Sequence, residues 1–136
     1  YIIADKRLID DLKKVKNSFH PYNVNSISAL LAEAAIKDDD YFQSSVKLVI
    51  EGRKRLSDGL RKLSFNVLPS SANFVLARHD CVSGERLYSL LKANGILVRH
   101  FNDKRIEDYV RITVGTEEEN EEFLRVTEKM LLENSK

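Results

Sequence analysis

YVRITVGTEEEN, residues 109–120, combines a predicted β-strand with the start of a helix. Polar and apolar residues alternate from 109 to 114, so Arg111 lies on the face opposite the three aliphatic residues of this strand. Thr116, followed three residues later by Glu119, is a capping box. The stretch therefore predicts a strand that passes directly into the last helix of the chain.

A second arginine stands at the end of another predicted strand, Gly95-Ile-Leu-Val-Arg99, twelve positions before Arg111. A guanidinium held on a strand presents a planar fork of donors that matches a carboxylate or a phosphate. Two such forks would suit a small dianionic or phosphorylated ligand. The alternative is that both arginines face solvent or pair with nearby Glu107 or Asp108. Spacing alone leaves both interpretations open.

The remaining pattern predicts an α+β sandwich, in which a small, mainly antiparallel sheet carries helices on one face. Predicted strands cover 65–68, 73–78, 96–99 and 109–114, and a helix around Leu87–Leu91 stops at Gly95. From the long helix at 41–62 onward the order is α-β-β-α-β-β-α, which is typical of this fold class.

The first part of the chain predicts helices and one strand remnant. Asp5 and Ser26 are the expected helix N-caps, and Asp38-Asp-Asp40 is expected to end the second helix and start the third. Tyr1-Ile-Ile-Ala4 is typical of the end of a buried strand, so we expect a preceding segment of the parent protein. The second helix is predicted to bury five residues: Ile27, Leu30, Leu31, Ala34 and Ala35.

Composition is that of an ordinary globular protein, with 43% hydrophobic and 32% charged residues. Lysine and arginine number 22 against 21 acidic residues, so the net charge of +1 gives no field that would attract nucleic acid or an anionic membrane. Cys81 is the single cysteine, and no apolar run approaches the roughly 18 residues of a membrane span. We therefore expect a cytoplasmic protein with no nucleic-acid or membrane partner.

Other candidate chemistry is weak. The single cysteine and the three histidines have no spacing typical of a nucleophile–base pair or a zinc site, so we expect neither a catalytic residue nor a metal ligand. Asn73 opens a predicted strand, where its side chain would either orient a ligand or cap the preceding turn. Asn23 lies in the loop around Pro21, whose polar residues more often satisfy backbone groups than bind ligands.

Four segments taken in order resemble one family. They are Pro21-Tyr-Asn-Val-Asn25, Pro69-Ser-Ser-Ala-Asn73-Phe74, Gly95-Ile-Leu-Val-Arg99 and Val110-Arg-Ile-Thr-Val-Gly-Thr116. Together they look like the C-terminal portion of histidinol-phosphate aminotransferases, which are pyridoxal 5'-phosphate enzymes of fold type I. The resemblance implies transfer of an amino group between glutamate and imidazole acetol phosphate in histidine biosynthesis, by a homodimeric parent enzyme.

The resemblance also assigns residues. Arg111 would hold the substrate carboxylate of glutamate, Arg99 would help to hold the phosphate, and Asn73 and Asn23 join them as candidate substrate-binding residues, with Asn23 near the dimer interface. Residues 1–38 would be a remnant of the large cofactor-binding domain and 39–136 the C-terminal small domain. The family's Schiff-base lysine and its other cofactor contacts match no position here. We therefore expect no cofactor-binding residue, no covalently bound cofactor and no catalysis by this chain alone.

Two rivals to this interpretation remain open. Threonine-phosphate decarboxylases use the same cofactor, act on a phosphorylated amino compound and have a similar C-terminal domain. A free-standing regulatory module would also suit the α-β-β-α-β-β-α order, with Arg99 and Arg111 binding an effector carboxylate without catalysis.

Overall fold

The computed structural model describes residues 2–19 and 24–134 and divides into two compact units, Tyr1–Phe42 and Gln43–Lys136. Three helices come first: α1 (Lys6–Phe19), α2 (Ser26–Lys37) and α3 (Asp39–Lys62). The second unit continues with β1 (Phe65–Val67), β2 (Phe74–His79), α4 (Gly84–Ala93), β3 (Arg99–His100), β4 (Val110–Thr113) and α5 (Glu117–Asn134). Among the described helices, none is long and apolar enough to cross a membrane.

The starts of the first helices follow local capping chemistry. The Asp5 carboxylate accepts a hydrogen bond from the Arg7 N–H at 2.9 Å, as expected for an N-cap. The prediction of Ser26 as the second cap was wrong, because the Asn25 side chain accepts from the Ser28 N–H at 2.8 Å and α2 begins at Ser26. Asp38 separates α2 from α3 as predicted, accepting from the Tyr41 N–H at 3.2 Å.

Two predictions for the first unit were wrong because they assumed packing partners. Residues 2–4 form no strand, since nothing in the described chain pairs with them, and the Ile3 side chain is 89% exposed. Helix α2 forms, but none of its residues is buried. Its predicted buried side is exposed in the structure: Ile27, Leu30, Leu31, Ala34 and Ala35.

The second unit is the predicted α+β arrangement. Its four strands form one antiparallel sheet in the order β1-β2-β4-β3. The third strand is shorter than predicted and covers Arg99–His100 instead of 96–99. The reason is local, because the Ile96 N–H donates to the Leu91 carbonyl at 2.9 Å and so closes the end of α4 instead of pairing with a strand.

The core lies on one face of this sheet. Alternate residues of β2 and β4 point into it, as their burial patterns show. Helices α3, α4 and α5 cover these strand residues, and the buried apolar side chains are Leu56, Leu60, Phe65, Val67, Val75, Ala77, Leu87, Leu91, Val110, Ile112, Phe123 and Met130. The opposite face of the sheet carries the intervening residues, which are half-buried or exposed. We call it the open face.

The predicted capping box is present at the start of α5. The Thr116 N–H donates to Glu119 Oε2 at 2.8 Å, and the Glu119 N–H donates to Thr116 Oγ1 at 3.3 Å. Replacing Thr116 by alanine should therefore lower the free energy of unfolding by about 1 kcal/mol. Urea denaturation of T116A beside T116S measures this, because serine keeps the hydroxyl. Equal stabilities of the two variants would contradict a role for the cap.

Candidate functional site

Arg99 and Arg111 lie directly opposite each other on β3 and β4. Residues paired in this way in an antiparallel ladder point to the same face, with Cα atoms about 5 Å apart. That face is the open one, because Val110 and Ile112 on either side of Arg111 are buried against the helices. Arg99 is exposed and Arg111 is half-buried. The structure thus brings together the two arginines that the sequence singled out, and we call them the arginine pair.

Aromatic rings hold both members of the pair. The guanidinium carbon of Arg111 lies 5.2 Å from the centre of the Phe74 ring and 5.7 Å from that of Phe101. The guanidinium carbon of Arg99 lies 5.4 Å from the centre of the same Phe101 ring. All three separations are within the range of cation–π attraction. Phe101 therefore contacts both cations, and sequence reasoning did not identify either ring as part of the site.

The carboxylates proposed as alternative partners do not bind the arginine pair. Within residues 2–19 and 24–134, no ion pair joins Arg99 or Arg111 to Glu107, Asp108 or any other acidic side chain. Two like charges directly opposite on neighbouring strands repel each other. An anion placed between or beside them would remove that repulsion, so this arrangement suits a ligand with negative charge.

A nearby arginine, Arg105, differs from the arginine pair because it binds a carboxylate of the same chain. Arg105 donates from Nε and Nη2 to the Asp103 carboxylate at 3.1 and 3.0 Å, and its backbone N–H donates to the same group at 3.0 Å. The side-chain hydrogen bond from Arg105 lowers the pKa of Asp103. This pair organises the connection between β3 and β4, and its guanidinium is already occupied.

Arg78 extends the positive charge along the open face. Its guanidinium carbon lies 5.8 Å from the centre of the Tyr109 ring, and its Nη2 lies 3.6 Å from Asp80 Oδ1. Its Nε atom is buried without a hydrogen-bond partner in the described chain. Arg78 is therefore held mainly by the ring and by one long ion pair.

The turn before β2 is held by residues other than Asn73. Ser70 Oγ donates to the Phe74 carbonyl at 2.6 Å and accepts from the Ala72 N–H at 3.1 Å. Arg53 Nη1 donates to the Ala72 carbonyl at 2.7 Å. The Asn73 carbonyl accepts from the Val114 N–H at 2.9 Å, while its side chain is exposed. The structure thus places Asn73 beside Phe74, without a described contact between its side chain and the arginine pair. Asn23 lies outside the described residues.

Asn120 fixes the turn that follows β4. Its side chain is 8% exposed and accepts from the Gly115 N–H at 3.1 Å while donating to the Gly115 carbonyl at 3.0 Å. The backbone N–H and the carbonyl of Gly115 are thereby both hydrogen-bonded. Gly115 and Asn120 are the two ends of the run Gly-Thr-Glu-Glu-Glu-Asn. Strand alternation and helix capping did not predict a contact between them.

An apolar groove of about 550 Å³ lies beside β4, but its charge does not suit an anion. It is lined by Ile96, Leu97, Val98, Ile112, Thr113, Gly115, Glu118, Glu119, Asn120, Glu122 and Phe123. The pKa of Glu118 is lowered by hydrogen bonds from the backbone N–H of Glu118 and from the Thr116 side chain. The pKa of Glu122 is lowered by a hydrogen bond from Arg125. These carboxylates are ionised at neutral pH and would repel a negatively charged ligand.

Comparison with known proteins identifies related chains. The family model described as aminotransferase class I and II matches residues 1–126. A histidinol-phosphate aminotransferase from Hydrogenovibrio crunogenus is 44% identical over 131 residues, which are 96% of this chain and 37% of that protein. A histidinol-phosphate aminotransferase from Clostridium botulinum is 39% identical with the same coverage. The chain therefore spans about 37% of the length of the curated relatives it matches.

Solved structures show the same similarity. The histidinol-phosphate aminotransferase from Clostridium acetobutylicum superposes with a TM-score of 0.73 at 30% identity, covering 93% of this chain and 39% of that one. A decarboxylase from Sulfurospirillum multivorans superposes with a TM-score of 0.71 at 26% identity, covering 95% of this chain and 38% of that one. The fold of the chain is therefore shared by proteins with two different activities.

Proposed function

The chain belongs to the class I and II aminotransferase family, and from this premise we propose that it is the part of a histidinol-phosphate aminotransferase that holds the anionic groups of the substrates. The parent enzyme would pass an amino group between glutamate and imidazole acetol phosphate. The observation that carries the proposal is the arginine pair, Arg99 opposite Arg111, without a carboxylate partner in the described chain.

Each arginine has a proposed role that follows from its surroundings. Arg111 is half-buried between two rings, so its fork has few orientations and suits the planar carboxylate of glutamate. Arg99 is more exposed and suits the phosphate of the histidine precursor, which reaches farther from the reacting carbon. Two neighbouring cationic groups suit an enzyme that accepts two different anions in turn. Each charge-assisted hydrogen bond contributes roughly 1.5–3 kcal/mol to such binding.

Asn73 and Asn23 complete the proposed substrate contacts. Asn73 lies next to Phe74, whose ring contacts Arg111, and its exposed amide offers both a donor and an acceptor. Asn23 would act near the interface of a homodimer. The exposed apolar side chains of α1 and α2, including Leu8, Val15 and Leu30, support a parent protein in which further chain covers these helices.

The family uses pyridoxal 5'-phosphate, which supplies the electron sink for amino-group transfer when it is bound. The lysines of this chain do not fit its covalent attachment, because every described lysine is exposed, and a Schiff-base lysine works in a desolvated pocket or beside another cation. Lys92, the one described lysine over an aromatic ring, lies 5.7 Å from the centre of Tyr88 on the helix side of the sheet. The residues that hold the cofactor would therefore lie in the rest of the parent enzyme.

The isolated chain should show no transaminase turnover, because no described lysine is placed to form a Schiff base. The measurement is 2-oxoglutarate formation from glutamate and imidazole acetol phosphate, with pyridoxal 5'-phosphate added and a complete aminotransferase as the positive control. Turnover above that of pyridoxal 5'-phosphate in buffer would contradict the assignment of catalysis to other parts of the parent.

The activity of the parent is tested by reading the coding sequence upstream of Tyr1 and assaying the whole protein. We expect a Ser-x-x-Lys and a glycine- and arginine-containing run upstream, and transamination of histidinol phosphate with 2-oxoglutarate. The second candidate is threonine-phosphate decarboxylation, which the similarity to a decarboxylase structure favours. Carbon dioxide release from threonine phosphate without histidinol phosphate turnover would select that candidate. An open reading frame that begins near Tyr1 would overturn both.

A further inference from the structure

We propose that Phe101 is a positioning residue that holds Arg99 and Arg111 as a single anion-binding pair, and that Arg99 depends on it more than Arg111 does. The proposal rests on the proposed function, in which the pair binds substrate anions. It adds a residue to the site and predicts which of two ligand classes that residue controls.

The sheet register places two positive charges, those of Arg99 and Arg111, next to each other. Arg99 and Arg111 are directly opposite each other, so their mutual repulsion favours side chains that swing apart into solvent. The electron-rich face of an aromatic ring attracts a cation. One ring lies 5.4 Å from Arg99 and 5.7 Å from Arg111, measured from its centre to each guanidinium carbon. A single side chain thereby keeps both cations above the same patch of the open face.

The chain around Phe101 fixes the position of the ring. The residue before it, His100, is hydrogen-bonded through Nε2 to the Glu107 carbonyl oxygen at 2.7 Å. This bond closes the connection between β3 and β4. The same connection is closed by the Asp103–Arg105 pair. Phe101 is itself half-buried. Its ring is thus attached to a segment that these hydrogen bonds hold in place, and it can set the orientation of the exposed Arg99 side chain.

The two arginines depend on Phe101 to different degrees. Arg111 has a second ring, that of Phe74 at 5.2 Å, and is half-buried. Arg99 is exposed, and Phe101 is the one aromatic ring it contacts within the described residues. Loss of the Phe101 ring should therefore release Arg99 while Arg111 stays against Phe74. Loss of the Phe74 ring should affect Arg111 more.

The test compares two anions bound by the 136-residue chain, inorganic phosphate and the dicarboxylate glutarate, by NMR titration. Phe101→Leu keeps an apolar side chain and removes the ring, Phe101→Tyr restores a ring, and Phe74→Leu removes the ring beside Arg111. Phe42→Leu, the same change at an exposed phenylalanine of α3, is the matched control. Circular dichroism and the amide spectrum establish that each variant is folded.

We expect F101L to weaken phosphate binding by about threefold to tenfold and glutarate binding by less than about twofold. F101Y and F42L should stay within about twofold of the wild type for both anions, and F74L should weaken glutarate more than phosphate. In the free chain, the ring-current shift of the Arg99 side-chain protons should disappear in F101L, while that of Arg111 should persist. A general loss of packing would weaken both anions equally and would overturn the proposed division of roles.

Two further outcomes separate the role of Phe101 from the existence of the anion site. Phosphate binding that survives F101L but is lost in Arg99→Ala would overturn the role of Phe101 and leave the anion site in place. A wild-type chain that binds neither phosphate nor glutarate would overturn the anion site, and the role of Phe101 with it.

Discussion

Replacing Arg111 by alanine should weaken glutarate binding to this chain by about a hundredfold, and replacing it by lysine by about tenfold. The guanidinium offers a fixed fork that donates two parallel hydrogen bonds to one carboxylate. Lysine keeps the charge but loses the fork and the flat surface that lies between Phe74 and Phe101. Alanine loses both hydrogen bonds and leaves the ligand with Arg99 as its cationic partner.

Isothermal titration of glutarate into each variant measures this effect, and Arg125→Lys is the matched control. Arg125 is an exposed arginine on α5 whose Nε and Nη2 donate to Glu122 at 2.8 and 2.6 Å. Arg125→Lys makes the same exchange of a guanidinium for an ammonium group, at unchanged charge, away from the open face. Equal affinities for R111K and the wild type would show that any cation suffices at this position, and the bidentate contact would then be wrong.

The second unit could be predicted from the sequence because its signals are local. Alternation in β4 placed Arg111 opposite the core face, and the Thr116–Glu119 spacing located the start of α5. Phe101 was also within reach of the same reasoning. It stands two positions after Arg99, and a period of two puts both side chains on one face of an extended chain.

Features that depend on packing between distant parts of the chain could not be predicted from local sequence patterns. The apolar side of α2 predicts burial, yet the described chain supplies nothing to cover Leu30 or Leu31, and both are exposed. The strand expected at 96–99 keeps only Arg99 of its predicted residues, since the Ile96 N–H donates to the Leu91 carbonyl at the end of α4. Asn23 lies outside the described residues, and its proposed role comes from the family resemblance of its segment.

Gly84→Ala should lower the free energy of unfolding by about 3 kcal/mol and should also weaken anion binding. Gly84 is buried at the start of α4, where a Cβ would overlap the Glu107 carbonyl oxygen and lie 2.8 Å from the Asp108 carbonyl carbon. These are backbone atoms, so no side-chain rotation relieves the overlap. The connection at 107–108 leads directly into β4, and displacing it shifts the strand that carries Arg111.

Gly95→Ala provides the matched comparison, because its cost has a different origin. Gly95 has a φ of +79° and no atom within 4 Å of an added Cβ, so alanine there meets backbone strain of about 1 kcal/mol and no steric overlap. Urea denaturation should therefore rank wild type above G95A and G95A above G84A, and only G84A should lose affinity for phosphate and glutarate. If G84A were as stable as G95A and bound both anions normally, the start of α4 would not pack closely against residues 107–108. The link between core packing and the orientation of Arg111 would then be wrong.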